Sequence, residues 1–159
     1  MTTITAPIRP LTRAQRKIAE QLIRGLSPAD IALCNHLSRP AVDQQIRILC
    51  ARVHLRWPCP QHLLVHALIA SGRMPRPAPR RPAPAITPAE KELLRALAQH
   101  EHPSKIAKSA GIALSEVRER TRSLVEHAEA ADLTHLIILA HAWEWLDEEP
   151  ATASAGAGQ

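Results

Sequence analysis

The chain repeats itself, and that internal symmetry limits what it can fold into. When Leu11–His54 is laid over Ile86–Glu129, a shift of 75 residues, nine of 44 pairs are identical: Thr12/Thr87, Ala14/Ala89, Leu22/Leu97, Pro28/Pro103, Ile31/Ile106, Ala32/Ala107, Val42/Val117, Arg47/Arg122 and Leu49/Leu124. Roughly three or four identities are expected by chance in so alanine-rich a composition. A two-residue contraction then brings HLLVHA (62–67) over HLIILA (135–140), with the apolar pattern preserved. A duplicated unit of about 60 residues therefore accounts for most of the chain.

Each copy parses into four helices. Phe and Tyr are absent and aromatic residues make up only 2% of the sequence, so the cores must be aliphatic. Abundant Ala, Leu, Arg, Glu and Gln favour helix over strand. In the second copy, Thr87-Pro88-Ala89-Glu90 supplies a Thr cap, a Pro at the first helical position and a Glu that reaches back to the cap nitrogen. Thr12 to Gln15 is its counterpart. The first helix then places Ile18, Leu22 and Ile23, or Leu93, Leu94 and Leu97, on one face. Ser27-Pro28-Ala29-Asp30 opens a short second helix, and Pro103 opens its equivalent. Ser38 caps a longer third helix whose apolar positions are Val42, Ile46, Leu49 and Val53, matched by Val117, Leu124 and Ala128. The fourth helix begins near Pro60 in copy one and behind Asp132 in copy two.

The expected fold class is thus all-α, with two small four-helix helix-turn-helix domains. Between them Pro75, Pro77, Pro79, Pro82 and Pro84 alternate with arginines, which predicts an extended, stiff connector. The boundaries that follow are an N-terminal arm at 1–10, domain 1 at 11–72, a basic Pro-rich linker at 73–85, domain 2 at 86–149 and a disordered, Gly/Ala-rich tail at 150–159.

Charge is distributed unevenly along this plan. Residues 1–72 hold nine Lys/Arg against three Asp/Glu, the linker holds four Arg and no acid, and residues 86–159 hold seven basic against twelve acidic residues. The net charge of +5 suits a polyanionic partner, and the basic surface belongs to the N-terminal half. No apolar run of signal-peptide length opens the chain, and no stretch approaches the ~20 residues of a membrane-spanning helix. A cytoplasmic, nucleoid-associated location is expected. The odd set Cys34, Cys50 and Cys59 fits reduced thiols, with Cys34 and Cys50 as small core residues.

On these residues a family resemblance emerges. LTRAQRKIAEQLIRGLSPADIA, LSRPAVDQQIRILCARVHL and HLLVHALIAS together resemble the four-helix LuxR-type (GerE-like) DNA-binding domain over nearly all of residues 11–72. ITPAEKELLRALAQ, SKIAKSAGIALSEVRERTRSLVEH and LTHLIILAHAW look like a more divergent member of the same family. Gly111 sits where that family usually has glycine in the turn, and His36 takes its place in copy one. The resemblance implies that the third helix of each copy reads the major groove and that the fourth mediates dimerisation.

The candidate base readers are Asp43, Gln44, Gln45 and Arg47 in copy one, and Arg118, Glu119, Arg120 and Arg122 in copy two. Arg grips guanine and Gln grips adenine through paired hydrogen bonds, whereas a carboxylate only accepts, most usefully from cytosine. Asp43 also lies four residues before Arg47, the spacing of an ordinary surface ion pair. Ser38, Arg39 and Arg52 are candidates for phosphate contact, as are the linker residues Arg73, Arg76, Arg80 and Arg81, because that contact needs charge and reach more than shape. The linker is either a solvated spacer or an arm reaching into a minor groove.

Other constellations carry less. Cys59, His62 and His66 have a spacing that three zinc ligands could use, but His135, the counterpart of His62, has no cysteine nearby, and no metal is expected. With five glycines and no nucleophile beside a base and an orienting group, neither a phosphate loop nor an active site is expected, and no cofactor. The fourth helix bears two apolar stripes where one small domain needs a single one. Val65, Ile69, Ile138 and Trp145 are therefore expected to meet a partner helix, within the chain as a pseudo-dimer or in a second chain as a homodimer. The expected function is a sequence-specific double-stranded DNA-binding transcriptional regulator. The alternative is an adaptor whose first domain binds DNA while the second binds a protein or dimerises.

Overall fold

The structure, a computed structural model, describes residues 10–147. All of the expected N-terminal arm but Pro10, the tail at 150–159, and Glu148 and Glu149 lie outside the described residues. The described residues are all-α, with eight helices: α1 (Arg13–Ile23), α2 (Pro28–Asn35), α3 (Arg39–Arg52), α4 (Gln61–Ala70), α5 (Pro88–Gln99), α6 (Pro103–Ala110), α7 (Leu114–His127) and α8 (Leu133–Ala142). No helix among them is long and apolar enough to cross a membrane.

Local chemistry fixes most of the starts. Thr12 accepts from Gln15 N while Gln15 Oε1 accepts from Thr12 N, and Thr87 and Glu90 form the same reciprocal pair ahead of α5. Ser27 with Asp30, Ser38 with Ala41 N, and Asp132 with His135 N cap α2, α3 and α8. Each satisfies helix-end donors that would otherwise have no partner within the helix.

The repeat extends to the backbone. His36 and Gly111, 75 residues apart, both take the left-handed conformation that ends α2 and α6, with φ of 54° and 69°. His54 and Glu129, also 75 apart, follow α3 and α7 with φ of 61° and 54°. This region costs a non-glycine residue roughly 1–2 kcal/mol. Two matched sites at equal spacing show that the repeat keeps these turns even where glycine is lacking.

The buried side chains form one continuous cluster that draws on both halves of the chain. α1 packs on α2, α3 and α4, α5 on α6, α6 on α7, and α4 joins the halves by packing on α8 and α5. Leu64, Val65, Leu68, Leu136, Ile137 and Ala140 of α4 and α8 are each at most 1% exposed. Complete burial of one such aliphatic side chain contributes about 1.5–3 kcal/mol, so this junction is a large part of the fold's stability.

Three expectations change in detail. α8 stops at Ala142, so Trp145 does not extend the helical stripe that begins at Ile138; Glu144 turns left-handed at φ 62°, and Trp145 N donates back to Ala140 O at 2.8 Å. The turn still delivers Trp145 to the core, where it is 7% exposed. Met74, assigned to the linker, is also buried, because Gly72 at φ 77° folds the chain back and Met74 N bonds Leu68 O. Cys34 is exposed instead of buried, since α2 turns Ile31, Ala32 and Asn35 inward and leaves Leu33 and Cys34 on the far side.

Candidate nucleic-acid interface

The short helix α2, the turn at His36 and the longer helix α3 form a convex unit whose inner and outer faces are chemically distinct. Val42, Ile46, Leu49 and Cys50 of α3 are buried, while Ser38, Arg39, Gln44 and Arg47 are exposed. Asp43, Gln45 and Arg52 are half-buried at the margin. Asp43 forms its ion pair with Arg39, one turn back, at Nε–Oδ1 3.1 Å, and not with Arg47. Arg47 has no ion-pair partner among the described residues and is exposed, as is Gln44.

α7 repeats the shape of α3 with different electrostatics. Arg118, Glu119, Arg120 and Arg122 are all exposed. Arg120 pairs with Glu116 at 3.4 Å, and Arg122 lies between Glu119 at 3.9 Å and Glu126 at 3.6 Å. Only Arg118 of this set lacks an ion pair among the described residues. Exposed pairs of this kind exchange readily with another anion, since each contributes only about 0–1 kcal/mol. The α7 surface is nevertheless closer to charge-neutral than that of α3.

The linker is docked along the second half of the fold. Arg76 bridges Glu144 at 3.1 Å and Asp147 at 2.6 Å. Arg81 donates to the carbonyls of Ala128 and Glu129 at the C-terminal end of α7, pairs with the Glu129 carboxylate at 3.1 Å and lies over the Trp143 ring at 5.5 Å. Trp143 Nε1 returns a hydrogen bond to Arg81 O at 2.9 Å, and His127 Nε2 meets Ala85 O at 2.6 Å. A cation at a helix C-terminus is favoured by the aligned peptide dipoles, which gives Arg81 a structural role. Arg80 is exposed with no ion-pair partner among the described residues, and Arg73 is half-buried.

The four residues expected to mediate assembly are placed inside the chain. Val65 is fully buried and Ile69, Ile138 and Trp145 are 7–8% exposed, all within the common core. Sequence reasoning missed two further pairs. His66 of α4 stacks on His141 of α8, and Cys50 Sγ lies 2.9 Å from Cys59 Sγ. Neither has a counterpart in the repeat: Cys50 aligns with Val125, and His141 with Leu68, so no symmetry argument exposes them. His62 is held below the usual imidazole range by burial, which the nearby Glu101 carboxylate partly opposes. Among the described residues no group of three or more His, Cys, Asp or Glu is placed to hold a metal ion.

In comparisons with known proteins, no family model matches the chain, and neither a curated protein nor a solved structure does. The assignment of function therefore rests on the geometry and chemistry of the helices themselves.

Proposed function

We propose that the chain is a sequence-specific, double-stranded DNA-binding transcriptional regulator with two helix-turn-helix units, in which α3 enters the major groove and α7 forms a second, weaker reader. The observation that carries this proposal is the outer face of α3. A 14-residue helix, capped by Ser38 after a tight left-handed turn, presents Gln44 and Arg47 to solvent without an ion-pair partner for Arg47 among the described residues. A helix about 10–12 Å across fits the major groove, and Arg and Gln read base edges there. Arg39, Arg52 and Arg80 supply phosphate contacts in this reading, and Ser38 places a helix N-terminus toward the backbone.

The packing of α4 on α8 supports an arrangement in which one chain carries both readers, as a pseudo-dimer does. The resemblance to LuxR-type domains points the same way, because that family dimerises through its fourth helix. A specific observation favours the second reading, an adaptor: Arg120 and Arg122 of α7 are occupied by Glu116, Glu119 and Glu126, and Leu114 at the start of that helix is 59% exposed. In that reading α3 binds DNA while α7 meets a protein.

Selection of duplexes from a random pool by the full chain tests the proposal. Enrichment of a motif with two separated half-sites supports two DNA readers, and a single half-site supports the adaptor. Salt-dependent binding with no enriched motif would replace both with a general nucleoid protein, and no retained DNA would reject the nucleic-acid function.

A further inference from the structure

Among the described residues, Cys50 and Cys59 are two thiols in direct sulfur contact. Cys50 sits near the C-terminal end of α3 and is fully buried, while Cys59 is half-buried in the loop that leads to α4. Their sulfurs lie 2.9 Å apart with one thiol donating to the other. The backbone holds this approach in place, since Val53 N and Leu55 N both donate to Cys50 O, at 3.2 and 2.8 Å, and His54 takes the left-handed turn between them. A disulfide holds its sulfurs about 2.0 Å apart, so a closure of roughly 1 Å within one loop completes the bond. The third thiol, Cys34, is exposed on α2 and takes no part in this contact.

We propose that Cys50 and Cys59 are a peroxide-oxidised thiol pair, with Cys59 as the attacking sulfur and Cys50 as the resolving one, which close a reversible intrachain disulfide between the end of α3 and the α3–α4 loop. This inference does not depend on the DNA-binding proposal.

The two thiols are chemically unequal. The hydrogen bond from Cys50 holds the Cys59 thiol below its ordinary range, against burial and the Glu101 carboxylate, which push it up. The same contact, together with burial, holds the Cys50 thiol far above its ordinary range. Thiolate character and access therefore coincide at Cys59. In the first step the Cys59 thiolate attacks one peroxide oxygen, the O–O bond breaks, and the departing hydroxide takes up a proton to leave as water. In the second, the Cys50 sulfur attacks the Cys59 sulfenic acid, the S–O bond breaks, and the Cys50 proton leaves with the hydroxide as a second water. Two thiols lose two electrons in total and one hydrogen peroxide becomes two waters. A dithiol reductant reverses the step by exchange.

Copy two has Val125 in the place of Cys50 and no cysteine anywhere in residues 86–159, so the switch belongs to α3 alone. Its natural effect is to tie down the C-terminal end of the helix that carries Arg47.

The test uses the reduced full-length chain with an equivalent of hydrogen peroxide, followed by alkylation, intact mass and a non-reducing tryptic digest. The expected result is a chain with a single alkyl adduct instead of three, two of the three thiols being protected, and a further loss of about 2 Da for the two hydrogens removed. Peptide 48–52 should be joined to peptide 57–73, and a dithiol should release both. A Cys34→Ser chain should give the same linked pair, and a Cys50→Ser chain should accumulate a sulfenic acid at Cys59 that a dimedone probe traps. The wild-type digest decides the matter even where Cys50→Ser fails to fold. Three thiols still open to alkylation, a disulfide that involves Cys34, or Cys59 passing on to sulfinic acid beside a free Cys50 would each overturn the proposal.

Discussion

His66 Nδ1 of α4 and His141 Nε2 of α8 lie 3.0 Å apart, with their rings stacked at 5.1 Å between centroids, so that one imidazole of each half of the chain faces the other across the central helix junction. Only one proton fits between the two nitrogens. Burial holds His66 below the ordinary imidazole range. Burial, the neighbouring His66 and the Arg76 guanidinium bring His141 down to about 4, partly opposed by the Asp147 carboxylate. Arg95 also lines the shallow cleft around the pair.

A stability profile follows with a definite sign. Both folded-state values lie below the unfolded value of about 6.5, so the unfolded chain binds more protons between these limits. Stability should be flat above pH 7 and fall as the pH drops from about 6.5 toward 4, by on the order of 3 kcal/mol at pH 4 from His141. Urea unfolding of wild type and His141→Leu from pH 4 to 8 checks this. Leu occupies the aligned position 68, and the variant should show a markedly flatter profile; an equal slope in both proteins would remove His141 as its source.

Thr121 is the position in α7 that aligns with Ile46 of α3, and its buried hydroxyl has no hydrogen-bond partner among the described residues. Replacing a buried, unsatisfied hydroxyl by a methyl of the same shape removes a desolvation cost of about 1 kcal/mol. Thr121→Val should therefore raise the urea midpoint at an unchanged slope. A lower midpoint would show that the hydroxyl is satisfied in solution.

Much of the architecture was legible in the sequence because its causes are local. Capping residues and apolar periodicity set most of the helices, whereas the matched left-handed turns at His36 and Gly111 and at His54 and Glu129 came from the structure, because a non-glycine residue gives no sign of a positive φ in the sequence. What stayed hidden depends on contacts made across the chain. The linker arginines read as free cations, yet Arg76 and Arg81 are held by Glu144, Asp147, Glu129 and the end of α7. The second stripe of the fourth helix left pairing within the chain and pairing with a second chain equally open, and the fold lays α4 on α8 within one chain. At the candidate interface the sequence named Arg47 and Gln44 but paired Asp43 with the wrong arginine, since spacing alone does not distinguish Arg39 from Arg47.

The neighbouring linker residues Arg80 and Arg81 should separate DNA binding from stability. Arg81→Ala loses the carbonyl and carboxylate contacts at the end of α7 and the stacking on Trp143, which should cost about 1–2 kcal/mol of folding stability. Arg80→Ala should leave the unfolding midpoint unchanged, weaken specific and random DNA alike, and reduce the salt slope by about 1. Parallel denaturation and fluorescence titration of the two variants measure both effects; a stability loss at Arg80 or a DNA effect confined to Arg81 would reverse the assignment.

Equilibrium binding of wild type and Arg47→Ala to the selected duplex and to a scrambled one, across a salt series, tests whether α3 reads base edges in the major groove. Arg47 is exposed and free of ion pairs among the described residues, so its loss should leave the fold intact, which circular dichroism confirms alongside. Arg47→Ala should weaken the selected site by about 1–3 kcal/mol, with little change on scrambled DNA. Equal losses on both duplexes would reduce Arg47 to a phosphate contact, and unchanged affinity for both would contradict the placement of α3 in the groove.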